Sequence, residues 1–310
     1  MDCDYRPMNI SALMDQALEL YKVTFKSQIA FSLFIGIISF IILMPMAFGM
    51  FLVLGQLMDL FIIGSTGMLT SSLEAMLIII VFIISIIPVY RGWMYLLDSG
   101  YILISKQAFY NESASIPFKE IFKVFLRVMS VAMAHMILFI PWLIIIGFIV
   151  YPLLYVGVYF SFEVLVLIAL VYSLFYLPYS NLLALSVPVA IFEDRFFFSA
   201  VVRSFKLIKG DFWKILSARL LWMFIAFLFS YSIQSLLGVL VIVAFGNVDS
   251  AFITGFGFMQ VYVFVIAAVL TAPMSGILTA LIYFNQRIKI EGLDIEIGIG
   301  FLTREYEDLS

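Results

Sequence analysis

The stretch Phe197-Phe198-Ser199-Ala200-Val201-Val202-Arg203-Ser204-Phe205-Lys206 sets Phe197, Phe198, Val201, Val202 and Phe205 at helical spacing, with Arg203, Ser204 and Lys206 on other faces. Beyond Lys209-Gly210-Asp211 the chain turns apolar over 215–246. A helix needs about 20 apolar residues to cross a hydrocarbon core. An amphipathic segment followed by so long an apolar one therefore describes a helix lying at a membrane surface and then one that crosses.

The same order occurs twice earlier. Ile10, Leu13, Met14, Ala17, Leu18 and Tyr21 form an apolar stripe before the stretch 28–55, with Asp15, Glu19, Lys22 and Lys26 on other faces. Phe118, Ile121, Phe122, Phe125, Leu126 and Met129 do so before 130–157, and Ser115 and Pro117 suit an N-cap and first turn. Three further stretches, 74–105, 163–191 and 252–284, are long enough to span. The expectation is an all-α polytopic membrane protein with six transmembrane helices in three hairpins. Each hairpin is preceded by a cytoplasmic interfacial amphipathic helix. The chain reads as a single membrane domain, 1–310, with pseudo-repeats at about 8–110, 111–192 and 193–286 and a tail 287–310. The repeats are parallel, unlike the inverted repeats of many secondary transporters.

Charge orients this array. Sixteen of the 17 Lys and Arg residues fall into four clusters: Arg6, Lys22 and Lys26; Lys106, Lys119, Lys123 and Arg127; Arg195, Arg203, Lys206, Lys209, Lys214 and Arg219; and Arg287, Lys289 and Arg304. The loops inside each apolar pair carry only acids, namely Asp59, Glu74, Glu163 and Asp249. Basic residues beside a span stay on the cytoplasmic side, so both termini are expected there, in a cell (plasma or inner) membrane. Arg91 falls outside the clusters and is expected at the interface with Trp93. Asp98 lies two turns on, too far for a tight pair with it.

Composition supports the class. The chain is 65% hydrophobic and 12% charged, with mean hydropathy +1.16. Soluble domains carry about 25% charge. Cys3 is the sole cysteine, which excludes an intrachain disulfide and a cysteine metal site. The acidic start, Met1-Asp2-Cys3-Asp4, argues against a cleaved signal.

Few residues ask for chemistry. His135 is the sole histidine, and a packing or interfacial role outweighs a chemical one. Asn181, Gln234, Gln260 and Ser232 suit interhelical hydrogen bonds. Prolines at 45, 88, 141, 152, 178, 188 and 273 allow bent helices around a cavity, but membrane helices are rich in proline anyway. No nucleophile–base set, zinc motif, Walker loop or dinucleotide turn appears. No catalytic residue, cofactor, metal or nucleic-acid partner is expected, and no intramembrane acid–base chain marks an ion path.

Two segments resemble a known family. They are Ser186-Val-Pro-Val-Ala-Ile-Phe-Glu193 with Ser199-Ala-Val-Val-Arg-Ser-Phe-Lys-Leu-Ile-Lys-Gly-Asp-Phe-Trp213, and Tyr283-Phe-Asn-Gln-Arg-Ile-Lys-Ile-Glu-Gly-Leu-Asp-Ile-Glu296. Both resemble the membrane domain attached to some bacterial glycerophosphoryl diester phosphodiesterases, which also occurs free-standing. The resemblance covers the whole chain in layout and these segments in residues. It implies a membrane domain without the catalytic barrel, so the enzymatic name does not carry over. In these segments Pro188 is expected to end or bend the fourth span. Glu193 and Asp194 suit the positive end of the following helix, Gly210 suits its termination, and Asp211 suits a cap for the fifth span. Arg203, Lys206, Lys209, Arg287, Lys289, Glu291 and Asp294 are the candidate site, a lipid-headgroup surface and charge network.

The leading expectation is a non-enzymatic membrane-organising or accessory subunit with a basic collar facing anionic inner-leaflet lipid. A further membrane or cytoplasmic protein is a candidate partner. The second expectation is a transporter or channel for a small or amphiphilic, lipid-like substrate. The third, weaker one is a membrane-embedded enzyme acting on lipid headgroups.

Overall fold

The computed structural model describes residues 7–63, 92–109, 118–155, 162–245 and 250–292. These are helical apart from short turns and ends, with no strand among the described residues. The helices are α1 (Ile10–Ile63), α2 (92–109), α3 (Phe118–Tyr155), α4 (Phe162–Leu182), α5 (Ser186–Phe192), α6 (Phe197–Ile208), α7 (Phe212–Phe245) and α8 (Ser250–Glu291). Among the described residues three stretches are long and apolar enough to cross a membrane: Phe118–Pro141, Ser173–Phe192 and Phe212–Leu236. Arg91, Ser115, Pro117, Asp249 and Asp294 lie outside the described residues.

The core lies at the end of the bundle that carries the basic clusters. Leu13, Ala17 and Leu20 of α1 meet Ile102 and Phe109 of α2, Val124 and Val128 of α3, the buried α5, and Met274 to Ile288 of α8. Asn9 caps α1, its Oδ1 accepting the Ala12 N–H at 2.8 Å. Buried Asn285 of α8 then grips the entering chain, accepting the Met8 N–H at 2.8 Å and donating to the Met8 carbonyl at 3.4 Å. Where α1, α2 and α8 meet, packing leaves no room for side chains. A methyl group at Gly276 would overlap the Cβ of Tyr101, and one at Gly100 would overlap the Phe31 ring.

The amphipathic segments behave differently from one another. In α1 and α3 they run without a break into the following apolar stretch, and α6 alone is a separate helix. Their stripes also face different ways. In α1 the stripe packs inward, apart from exposed Leu18. In α3 the order inverts: Phe122 and Leu126 are exposed, and Val124, Val128 and Val131 are buried. In α6 Val201 is buried while Phe198 and Val202 are exposed. Lipid is as apolar as a protein core, so an apolar stripe beside a membrane has two places to go.

The α4–α5 break is built from side chains. Pro188 sits in the first turn of α5, where a missing N–H costs little. The chain turns just before it, over residues 183–185. Ser204 of α6 bridges the gap, donating to the Leu182 carbonyl at 2.8 Å and accepting the Leu185 N–H at 3.2 Å. It supplies bonds that the interrupted helix cannot make.

Other sequence expectations shift. Glu193 ends α5 and turns back to cations instead of starting α6. The start of α6 is served from α3, where Ser130 Oγ accepts the Phe197 N–H at 3.0 Å. Gly210 does follow the end of α6, directly after its C-cap Lys209, while the positive φ of 66° belongs to Gly292, where α8 ends. The Asp211 carboxylate binds cations and Gln286, and no side-chain cap of α7 by it is seen.

Candidate functional site: a charged cavity beneath a paired collar

The predicted charge network assembles around α6 and the end of α8. Arg203 Nε donates to both Glu193 oxygens, at 3.1 and 2.9 Å, and its Nη2 reaches Glu291. Arg287 binds Glu291 at 2.9 Å, one turn along α8. Tyr283 donates to Glu193 at 3.2 Å. Lys289 binds Asp211 at 2.6 Å, and Lys214 binds its other oxygen at 3.2 Å. Arg127 pairs with Asp194.

These contacts set the charges firmly. Burial works against the Arg203 charge, yet its bonds to Glu291 and Glu193 outweigh this and raise its pKa. Burial pushes Glu291 up, but Arg203 and Arg287 hold it below the usual carboxylate value. The Lys289 hydrogen bond, aided by Gln286 and Lys214, lowers Asp211 to about 2 despite some burial. Lys206 and Lys209 are exposed and join no ion pair among the described residues.

Below this layer the bundle opens into a cavity of about 210 Å³ between α2, α3, α4, α5, α7 and α8. Helical spacing aims several side chains into it: Tyr95, Asp98 and Ile102 of α2, Tyr176, Tyr179 and Ser180 of α4, and Ser275 and Thr279 of α8. Arg219 enters from α7. It belongs by sequence to the third basic cluster, but it sits two turns inside α7, within a stretch long and apolar enough to cross a membrane.

Arg219 Nη1 donates at long range to the Ser180 carbonyl at 3.4 Å and to Asn181 Oδ1 at 3.3 Å. Neither acceptor is charged. Asp98 is enclosed by the bundle but open to the cavity. Among the described residues it has no hydrogen bond or ion pair, and Arg219 is the cation that acts on it. The two face the same space, and no ion pair joins them.

His135 closes one wall. Ser186 Oγ donates to the Leu183 carbonyl, so it accepts from His135 Nε2 at 2.8 Å. That leaves Nδ1 to accept from the Tyr95 hydroxyl. Both ring nitrogens are thus engaged, and the imidazole ties α2, α3 and α5 together. Asn181, expected in a polar seam, is buried and supports Arg219, also donating to the Phe212 carbonyl at 3.3 Å. Ser232 is exposed and bonds its own helix. Gln260 lies in a stretch whose side chains are not described.

Asp98 and Arg219 are the residues that sequence reasoning passed over. Charged residues within apolar stretches mark function by default, and that signal was present in both. Among the described residues no group of His, Cys, Asp or Glu is suited to a metal. No protein-family profile, no curated protein and no solved structure matches the chain.

Proposed function

We propose that this is a multi-pass membrane protein that binds a small polar or amphiphilic molecule in the intramembrane cavity and carries it across or within the bilayer. The observation that supports this reading is the cavity of about 210 Å³, with Asp98 and Arg219 facing it and no ion pair at either among the described residues. Each charge offsets the other only across the gap, and charge in a low-dielectric interior costs several kcal/mol per ion unless closely paired. A ligand of complementary charge would offset that cost. The break between α4 and α5 lies on the cavity wall, at Leu183 and Ala184, and irregular backbone inside a membrane belongs where it lines a cavity. The reading is non-enzymatic and takes the remaining apolar stretches as spans, six in all. It sets both termini in the cytoplasm of a cell with the protein in its plasma or inner membrane. Likeness to the phosphodiesterase-linked membrane domain is part of the proposal and rests on the residues of the two segments quoted above.

The test is native mass spectrometry of the full chain, released from detergent, for wild type, Asp98→Asn and Arg219→Gln. A molecule retained by wild type and lost from both variants supports the cavity reading. Equal retention in all three overturns it.

A second reading, a membrane-organising subunit, is favoured by α6. Exposed Phe198 and Val202 lie beside exposed Lys206 and Lys209, an arrangement suited to anionic lipid. Loss of anionic-liposome binding on neutralising both lysines supports it, and unchanged binding removes it.

A further inference from the structure

The charged cavity has a neighbour. A second cavity of about 300 Å³ lies between α4, α7 and α8. The two share Ser180, Arg219, Ser275 and Thr279 as lining, so Arg219 stands at their junction. The second is the more apolar of the two. Beyond Arg219 the second cavity is walled by Leu177, Leu216, Leu220, Trp222, Met223 and Ala226, with no charged group besides Arg219 among the described residues. Met223 is 53% exposed, and Ala272 of α8 is exposed too, so this space opens sideways from the bundle between α7 and α8. Within a membrane-crossing stretch, sideways means toward lipid.

Depth agrees. Arg219 is seven residues from the start of α7 at Phe212, which at 1.5 Å per residue is about 10 Å. The collar, with Asp211, Lys214 and exposed Trp213, marks the interface. Arg219 thus lies just beneath headgroup level.

From this juxtaposition we infer that the two cavities form one site for a zwitterionic lipid. An anionic phosphate meets Arg219 at the junction. An amine reaches past it to Asp98, among Tyr95, Tyr176, Tyr179 and Phe139. The acyl chain lies in the apolar cavity with its end toward the bilayer. Each part answers a separate feature. Arg219 has N–H donors beyond the two weak bonds it makes, and a guanidinium suits phosphate. Asp98 has no hydrogen bond among the described residues, and the aromatic side chains that line the cavity with it suit a cation. Space is adequate, since a cavity of about 150 Å³ already accepts benzene. This inference rests on the carrier reading above and narrows its substrate class.

The test measures binding to the full-length protein in detergent by thermal shift and native mass spectrometry. The probes are lysophosphatidylethanolamine, lysophosphatidylglycerol, palmitate and free phosphoethanolamine. The expected result is strongest binding of lysophosphatidylethanolamine, by at least tenfold over each of the others. Asp98→Asn should abolish the preference over lysophosphatidylglycerol, and Arg219→Gln should weaken both lysolipids by at least tenfold. Ala226→Phe, which narrows only the apolar cavity, should weaken the lysolipids and leave phosphoethanolamine unchanged, and it guards against a misfolded charge variant. Equal binding of free phosphoethanolamine would keep a small-solute carrier and overturn the lipid site. Equal binding of both lysolipids to wild type would overturn the role of Asp98 and the zwitterion with it. If no probe binds, this inference falls, and the carrier reading is decided by the retention test above.

Discussion

Two charged regions sit within one bundle, and they treat charge in opposite ways. At the collar, Arg203, Glu193, Glu291 and Arg287 form one linked group and Lys289 and Asp211 another, and each has a partner of opposite sign. In the cavity below, Asp98 and Arg219 face the same space, and no ion pair joins them. A paired charge is part of the architecture, and removing it damages the fold. A charge held apart from its counterpart does little for the fold and leaves its interaction for something that enters. The difference separates structure from site more sharply than charge density does, since the collar has the greater density.

The broadest way to break the comparison is to damage both regions at once. Gly276 lies between cavity residue Ser275 and the core, against Tyr101. Gly276→Leu is expected to cost about 3 kcal/mol. It should lower the melting temperature and abolish ligand retention together. Next is the collar alone. The Arg203 and Glu193 side chains are only 17% and 12% exposed, so Arg203→Ala strands carboxylates in a mostly dry place. The expected loss is about 2 kcal/mol, read as a lower melting temperature with ligand retention intact. Arg203→Glu with Glu291→Arg should recover part of it. An Arg203 variant that keeps full stability would remove the structural role of the collar.

The cavity should respond in the reverse sense. Asp98→Asn should leave melting within about 1 kcal/mol of wild type, or raise it, because an unpaired enclosed charge is lost. Ligand retention should fall at least tenfold. A large destabilisation instead would make Asp98 structural and dissolve the contrast.

Acid sharpens the collar further. The folded pKa of Asp211 is about 2, below its ordinary 3.8. Its contribution is therefore complete above about pH 4 and fades as pH falls through 2. Asp211 is 16% exposed and its partner Lys214 is 67% exposed, so screening limits this to about 1 kcal/mol. Wild type should lose that increment between pH 4 and 2 in a denaturation series, and Asp211→Asn should show less pH dependence there. The smallest effect belongs to the unpaired lysines. Lys206→Ala with Lys209→Ala should change stability by less than about 0.5 kcal/mol. Affinity for anionic liposomes should fall by about 1 kcal/mol per lysine if α6 rests on lipid.

The helices, and the meeting of Arg203 and Arg287 with Glu291, were legible in the sequence. Local pattern carries the first, and short spacing on α8 helps the second. The orientation of the apolar stripes was not. Phe122 and Leu126 point out while Val124 and Val128 point in, and nothing in a sequence distinguishes lipid from core when both are apolar. The cavity was hidden for another reason. Asp98 and Arg219 lie on helices far apart in the chain, and Arg219 sits close enough to Lys214 to read as one more interfacial cation. Depth along α7 separates them, and only the turn at 209–211 sets where α7 begins.

The Ser204 bridge has a consequence for how the chain is made. Leu182 and Leu185 emerge from the ribosome about twenty residues before Ser204, a delay of about 1–4 s at ordinary rates of synthesis. During that interval the gap between α4 and α5 lacks the hydroxyl that later spans it. The nascent segment must wait in water, in the insertion machinery or as an unbroken helix until α6 arrives. Birth order thus makes α6 the latch on a joint already built, and a Ser204→Ala chain should show its defect first in insertion yield during synthesis, before any loss in the finished protein.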